Sequence, residues 1–203
     1  MIISNRKKFI FVHIYKIAGT SVTSALIKYA RFRERLAGEF FISRKFVSSI
    51  NRLFHLHDRG NQWINGLHKH ANAQEIRDYC GLSIFESYYK FAFVRNPWDW
   101  QVSLYTYIRS NDAHREHRIT NQLNFEDFIR LSLRANPPCQ LDFLTDEHGK
   151  VIVDKIGKFE SIGSDFSAIL RDIGIDKQLA LPLETRLKDR ETIGATTLMR
   201  LMT

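Results

Sequence analysis

Cysteine is scarce in this chain, with Cys80 and Cys139 the two in 203 residues. Neither sits in a Cys-x-x-Cys pair or beside a histidine at metal-ligating spacing, so no zinc site is expected. Two isolated thiols also give little reason to expect a disulfide framework. Long apolar runs are missing, and none approaches the ~20 residues that a membrane-spanning helix needs. Residues 1–8 are polar and basic, lack a secretory pattern and lead straight into an apolar run. A soluble, cytoplasmic chain is the resulting expectation. There is no internal repeat, no low-complexity tract and no linker long enough to separate a second domain. No DNA- or RNA-binding motif is visible, and the basic residues are scattered rather than clustered. Nucleic acid is therefore not an expected partner.

Hydrophobic residues make up 44% of the chain, enough for a real core. Lys and Arg number 30 against 22 Asp and Glu, a net charge of +8. That balance favours anionic partners such as nucleotides or acidic glycans without choosing among them.

The stretch FIFVHIYKIAGTSVTSAL, residues 9–26, organises the rest. Bulky and β-branched residues from Phe9 to Ile14 read as a strand buried on both faces. The pattern breaks at Lys16-Ile17-Ala18-Gly19-Thr20-Ser21 and resumes at helical spacing with Val22, Ala25, Leu26 and Tyr29. The predicted helix runs from about Thr20 to about Arg35. Strand, small-residue turn and helix point backbone N–H groups at an anion. Lys16 adds a charge, and Thr20 and Ser21 add hydroxyls. The alternative is an ordinary βα turn with a solvated lysine; the combination favours a cradle for a phosphate-type anion. The lysine precedes the glycine and no Gly-Lys-Ser/Thr follows, which argues against a P-loop kinase or ATPase.

Farther along, Asn72 and Glu75 have capping-box spacing and open a helix that ends before Gly81. His70 then lies on a loop just before a helix, where catalytic groups and ordinary surface histidines both occur. His55 and His57, beside Asp58, have no third ligand at a suitable spacing and read as surface residues. A second apolar strand spans residues 88–94 and ends at Arg95. Asn96 as N-cap, Pro97 at the first helical position and Asp99 in the first turn start a helix. Ser103 lies about two turns into it. Arg95 stands at the carboxyl end of a parallel strand, where open α/β sheets bind ligands and where a guanidinium can fork onto phosphate. An arginine pairing with a carboxylate or capping a helix would look the same. Residues 111–120 read as a polar loop or lid, and Asn124 opens a helix over residues 125–134. A hairpin turn follows at residues 146–149, then a strand over residues 151–156. Ser161 or Ser164 caps a last helix ended by Gly174.

The segments HIYKIAGTS and FAFVRNPWDWQVSLY together resemble the two cofactor-binding signatures of the PAPS-dependent sulfotransferases, carbohydrate-type and family 2-like. Residues 66–73, around His70-Ala71, and VDKIGKFESIGSDFSAIL resemble further family regions in the same order. The resemblance spans residues 9–183. It implies an α/β fold, a three-layer P-loop-like sandwich with a central parallel sheet flanked by helices. It implies transfer of a sulfuryl group from PAPS (3′-phosphoadenosine 5′-phosphosulfate) to an acceptor hydroxyl, leaving PAP, with a carbohydrate or glycan as the expected acceptor. Lys16, Gly19, Thr20 and Ser21 would hold the 5′-phosphosulfate, Arg95 and Ser103 the 3′-phosphate. His70 would be the general base, with His68 as its rival, and no metal is expected. Tyr15 stands where the family usually has Pro, Ala18 where it often has Gly, and Trp100 replaces a common Arg. Residues 1–183 form the expected sulfotransferase domain. Residues 184–203 lack the family's Tyr-rich helix and read as an atypical or truncated tail. A catalytically impaired relative that binds PAP or an anionic glycan is the alternative.

Overall fold

Unbroken apolar runs at Phe9–Val12 and Tyr89–Val94 form two adjacent strands with both faces covered. The computed structural model describes residues 1–30, 69–135, 138–175 and 181. The chain divides into two compact units, the first from Met1–Val94 with Cys139–Pro182, the second centred on Arg95–Pro138.

The first unit is an α/β layer structure. Its sheet has the order β1 (Ile2–Ser4), β2 (Phe9–Val12), β3 (Tyr89–Val94), β4 (Lys155–Lys158). β2, β3 and β4 are parallel neighbours, with Phe11 opposite Phe91 and Phe93 opposite Gly157. β1 is antiparallel to β2, which the sequence pattern did not foretell. The reason is local. Residues 5–8 turn the chain back at once, with Lys8 in left-handed backbone (φ 49°) and the Lys7 N–H on the Ser4 hydroxyl at 3.2 Å. A connection this short can only join antiparallel strands. Among the described residues of this unit, four helices flank the sheet: α1 (Gly19–Leu26), α2 (Ala73–Cys80), α3 (Leu82–Ser87) and α7 (Ile162–Asp172).

The core is aromatic on one face of the sheet. Phe9, Phe11, Phe91 and Phe93 are all buried, with ring centroids 5.2 Å apart for Phe11–Phe91 and 6.3 Å for Phe91–Phe93. Phe93 then meets Phe166 of α7 at 6.4 Å. Gly157 makes room for this: a Cβ there would lie 2.5 Å from the Phe93 ring. Truncating any one of these rings to Ala would cost about 3–5 kcal/mol.

β3 also carries a buried charge, Lys90. Its ammonium donates to the Tyr88 and Phe85 carbonyls at 2.8 and 3.2 Å and pairs with Asp154 at 3.0 Å. It thus caps the carboxyl end of α3, where the helix dipole welcomes a cation. Asp154 also accepts the Lys90 backbone N–H at 2.7 Å, and its own N–H returns to the Lys90 carbonyl at 2.8 Å. This clasp fixes where β4 starts. The strand expected over residues 151–156 is therefore displaced: Val151 makes a single bridge to Thr145, and regular pairing begins at Lys155.

Local signals account for several helix ends. At α2 the Asn72 side chain accepts the Glu75 N–H while the Glu75 carboxylate accepts the Asn72 N–H, both at 2.8 Å. α1 stops sooner than the spacing predicts, because a 3₁₀ turn at Ile27–Tyr29 leads into extended backbone at Ala30. Ser161 stands at the N-cap of α7 but does not cap it; its hydroxyl donates to Asp165 at 3.0 Å. α3, which no sequence signal announced, follows α2 after Gly81 at φ 84°.

In the second unit, α4 (Pro97–Ser110) and α6 (Phe125–Arg134) pack through Ile108, Phe125 and Phe128, with Tyr105 against both phenylalanines at 5.5 and 5.2 Å. Asn96 and Asn124 cap the two helices as expected, accepting N–H groups at 2.9 Å from Trp98 and Asp127. The polar loop expected over residues 111–120 contains a helical turn, α5 (His117–Thr120). The His117 Nδ1–H, donating to the Ile108 carbonyl at 3.0 Å, ties it to α4.

The Asp165 carboxylate accepts the Lys158 N–H at 2.7 Å, joining β4 to α7. That hydrogen bond, helped by the Ser161 hydroxyl, holds its pKa below the usual carboxylate value, against a smaller opposing push from burial. Its contribution is thus present above pH ~4 and is lost as pH falls through the depressed value. Asp165→Asn should lower the melting temperature at neutral pH. The gap to wild type should narrow as pH drops below ~4, and a gap constant with pH would refute this account.

Candidate functional site

Parallel register puts the ends of β2 and β3 at one edge of the sheet, Val12 being opposite Ala92. The turn after β2 is the one whose sequence suggests an anion cradle. Ile14 and Ile17 are buried and anchor it, while Lys16 and Ala18 take left-handed backbone at φ 63° and 50°. Ala18 is the N-cap of α1, and the first helical hydrogen bond runs from the Val22 N–H to the Ala18 carbonyl at 3.1 Å. The N–H groups of Gly19, Thr20 and Ser21 come before that bond, so the helix gives them no partner. Three such donors at a helix start, with the Lys16 charge in the same turn, fit a phosphate- or sulfate-type anion. Thr20 is exposed and Ser21 half-buried.

Gly19 has a packing role that its spacing did not reveal. Its backbone is not left-handed; what it supplies is space. A Cβ at Gly19 would fall 1.8 Å from Nε2 and 1.9 Å from Cδ2 of His13. The His13 imidazole therefore lies directly on the start of α1.

His70 comes to the same place. Its Nδ1 is 2.9 Å from the His13 carbonyl oxygen. A carbonyl only accepts, so Nδ1 carries the proton and the lone pair of neutral His70 sits on Nε2. The His70 ring meets His13 edge-on at 4.6 Å and Tyr15 edge-on at 5.9 Å. Tyr15 also packs on Phe143 at 5.7 Å, so its bulk is absorbed in an aromatic wall beside His70. The N-terminal ammonium of Met1 donates to the Lys69 carbonyl at 2.6 Å and steadies the segment entering His70. His68, the rival base, lies outside the described residues, as do His55, His57 and the tail at 184–203.

Of the sequence candidates, the first unit thus gathers Lys16, Gly19, Thr20, Ser21 and His70. Arg95 and Ser103 belong to the second unit. The chain passes from β3 through half-buried Arg95 and exposed Asn96 into α4, where Ser103 and Trp100 are buried. His13 and Tyr15 are neighbours of the site that the sequence pattern did not assign. The available signal was a single imidazole interrupting an otherwise apolar strand exit. Among the described residues no group of three or more His, Cys, Asp or Glu is placed to hold a metal. No described helix is long and apolar enough to cross a membrane.

Two substitutions test this geometry. Gly19→Ala should push the His13 ring away and lower stability by about 1–3 kcal/mol, the usual cost of overpacking; an unchanged melting temperature would show that the ring is not seated there. Ala18→Gly relieves a left-handed alanine at the expense of backbone entropy, so the melting temperature should rise by roughly 2–4 °C, and a fall would refute the strain.

The chain is 32% identical to an uncharacterized protein of Archaeoglobus fulgidus over 117 residues, which cover 56% of this chain and 91% of that one. No solved structure matches the chain. The profile described as "Sulfotransferase family" matches residues 1–200, nearly the whole length, and the chain belongs to that family.

Proposed function

We propose that the protein transfers a sulfuryl group from PAPS to a hydroxyl of a carbohydrate acceptor, with His70 as general base. The observation that carries this reading is the hydrogen bond that leaves Nε2 of His70 as the basic nitrogen beside a helix start fitted to an anion. PAPS, when bound, supplies an activated sulfuryl group whose departure leaves negative charge on the 5′-phosphate of PAP.

Each residue then has a physical task. The N–H groups of Gly19, Thr20 and Ser21, with the hydroxyls of Thr20 and Ser21, hold the 5′-phosphosulfate. The Lys16 ammonium stabilises charge arriving on the leaving oxygen; as in phosphoryl transfer, such positioning and electrostatics supply most of the catalysis. Nε2 of His70 takes the proton of the acceptor hydroxyl, since an un-ionised alcohol is a poor nucleophile at neutral pH. Arg95 and Ser103 grip the 3′-phosphate, the guanidinium as a fork and the hydroxyl as a single donor. The carbohydrate acceptor rests on the resemblance and on the net charge of +8, which suits an acidic glycan.

The first test is thermal. PAP at a hundredfold excess over its Kd should add about 2.7 kcal/mol and raise the melting temperature by roughly 5–10 °C. Preference for ATP with Mg²⁺ over PAP would sink the reading. Lys16→Ala and Arg95→Ala should each remove most of the PAP response. His70→Ala should keep that response and lower sulfate transfer by about 10²–10⁴-fold, the usual worth of a general base. A wild-type chain that binds PAP and transfers nothing to a glycan panel would instead be a binding relative.

A further inference from the structure

One residue holds His70 from two directions. The His13 carbonyl accepts the His70 Nδ1–H at 2.9 Å, and the His13 ring meets the His70 ring edge-on at 4.6 Å with planes 68° apart. The His13 ring is itself wedged. It lies nearly parallel to Phe11 at 5.8 Å and presses on Gly19, whose missing side chain is the space it fills. Tyr15 meets His70 edge-on as well, at 5.9 Å, and is backed by Phe143.

We propose that His13 is a positioning residue for His70, selecting its tautomer and locking its ring so that Nε2 is presented as the base. This rests on the reading of His70 as the base. An imidazole has two neutral tautomers, and the hydrogen bond at one nitrogen decides which one is present. A carbonyl selects the Nδ1–H form only while the ring stays in the orientation that reaches it. The His13 ring supplies that constraint, because turning His70 out of place would drive it into an imidazole backed by Phe11 and by the start of α1. Gly19 joins the same mechanism indirectly: a side chain there would displace His13 and release His70. The start of α1 and the base are thereby coupled through one ring, so the anion-holding turn and the proton acceptor keep a fixed relation.

The experiment uses the full chain labelled with ¹⁵N-histidine, at a pH where the imidazoles are neutral. Long-range ¹H–¹⁵N spectra report which ring nitrogen carries the proton, and His70→Gln assigns the signal. Wild type should show His70 protonated at Nδ1. His13→Ala should show a mixture of tautomers and a fall in kcat of roughly tenfold or more, a share of the 10²–10⁴ a general base supplies. Its KM for PAPS should stay within about twofold, since the cradle's N–H donors are main-chain. His13→Phe keeps the wedge and should restore the single tautomer and most of kcat, which also guards against a His13→Ala that folds poorly. His70 protonated at Nε2 in wild type, or an unchanged tautomer or kcat in His13→Ala, overturns the proposal. If wild type transfers no sulfate, the tautomer spectra alone decide it, and the functional reading fails separately.

Discussion

Parallel pairing of β2 with β3 is the constraint on which the rest depends. Both strands are buried on both faces, so their register is fixed by packing as well as by the ladder: a one-residue slip would trade Phe11 for Ile10, or Phe91 for Lys90, on the aromatic face. Because they run the same way, the turn after β2 and the exit at Val94 open at one edge. The antiparallel β1 and the clasp between Lys90 and Asp154 then secure the two sides of this pair.

Strain in the first turn is held in place by that framework. Lys16 and Ala18 each take a left-handed conformation that costs a residue with a side chain about 1–2 kcal/mol. Burial of Ile14 and Ile17 outweighs it, since each fully buried side chain of that size contributes roughly 1.5–3 kcal/mol. The turn is therefore over-determined by its anchors, the condition under which strained backbone persists at functional sites.

Much of this was legible in the sequence, and the features that were not share a cause. The capping box at Asn72 and Glu75, the Asn96 and Asn124 caps and the two central strands rest on interactions within a few residues, which pattern reading captures. The family resemblance was carried by two contiguous segments, and the fold and family follow from it. By contrast, β1 was masked by its neighbours: three buried residues beside Arg6, Lys7 and Lys8 read as belonging to a basic terminus. The start of β4 is set by Asp154 reaching Lys90, 64 residues away, which no local pattern encodes. The shortened α1 and the extra α3 are tertiary outcomes of the same kind.

Gly19 shows how the reason read from a sequence for a glycine can be incomplete. In a strand–turn–helix motif a glycine suggests close approach of a ligand to the backbone. Here the space a Cβ would take is filled by a side chain of the protein, His13, and the backbone angle makes no special demand. The two reasons are compatible, because the ring occupies the side-chain direction while the N–H groups at the helix start lie along its axis. Read this way, the motif builds two things from one glycine: a helix terminus open to an anion, and a seat for the imidazole that braces His70. Tyr15, backed by Phe143, sets a second ring edge-on against His70, and both braces are rigid bodies with few rotatable bonds. If His70 is the base proposed above, such bracing leaves it little entropy to lose when an acceptor hydroxyl arrives, which is where orientation contributes to rate.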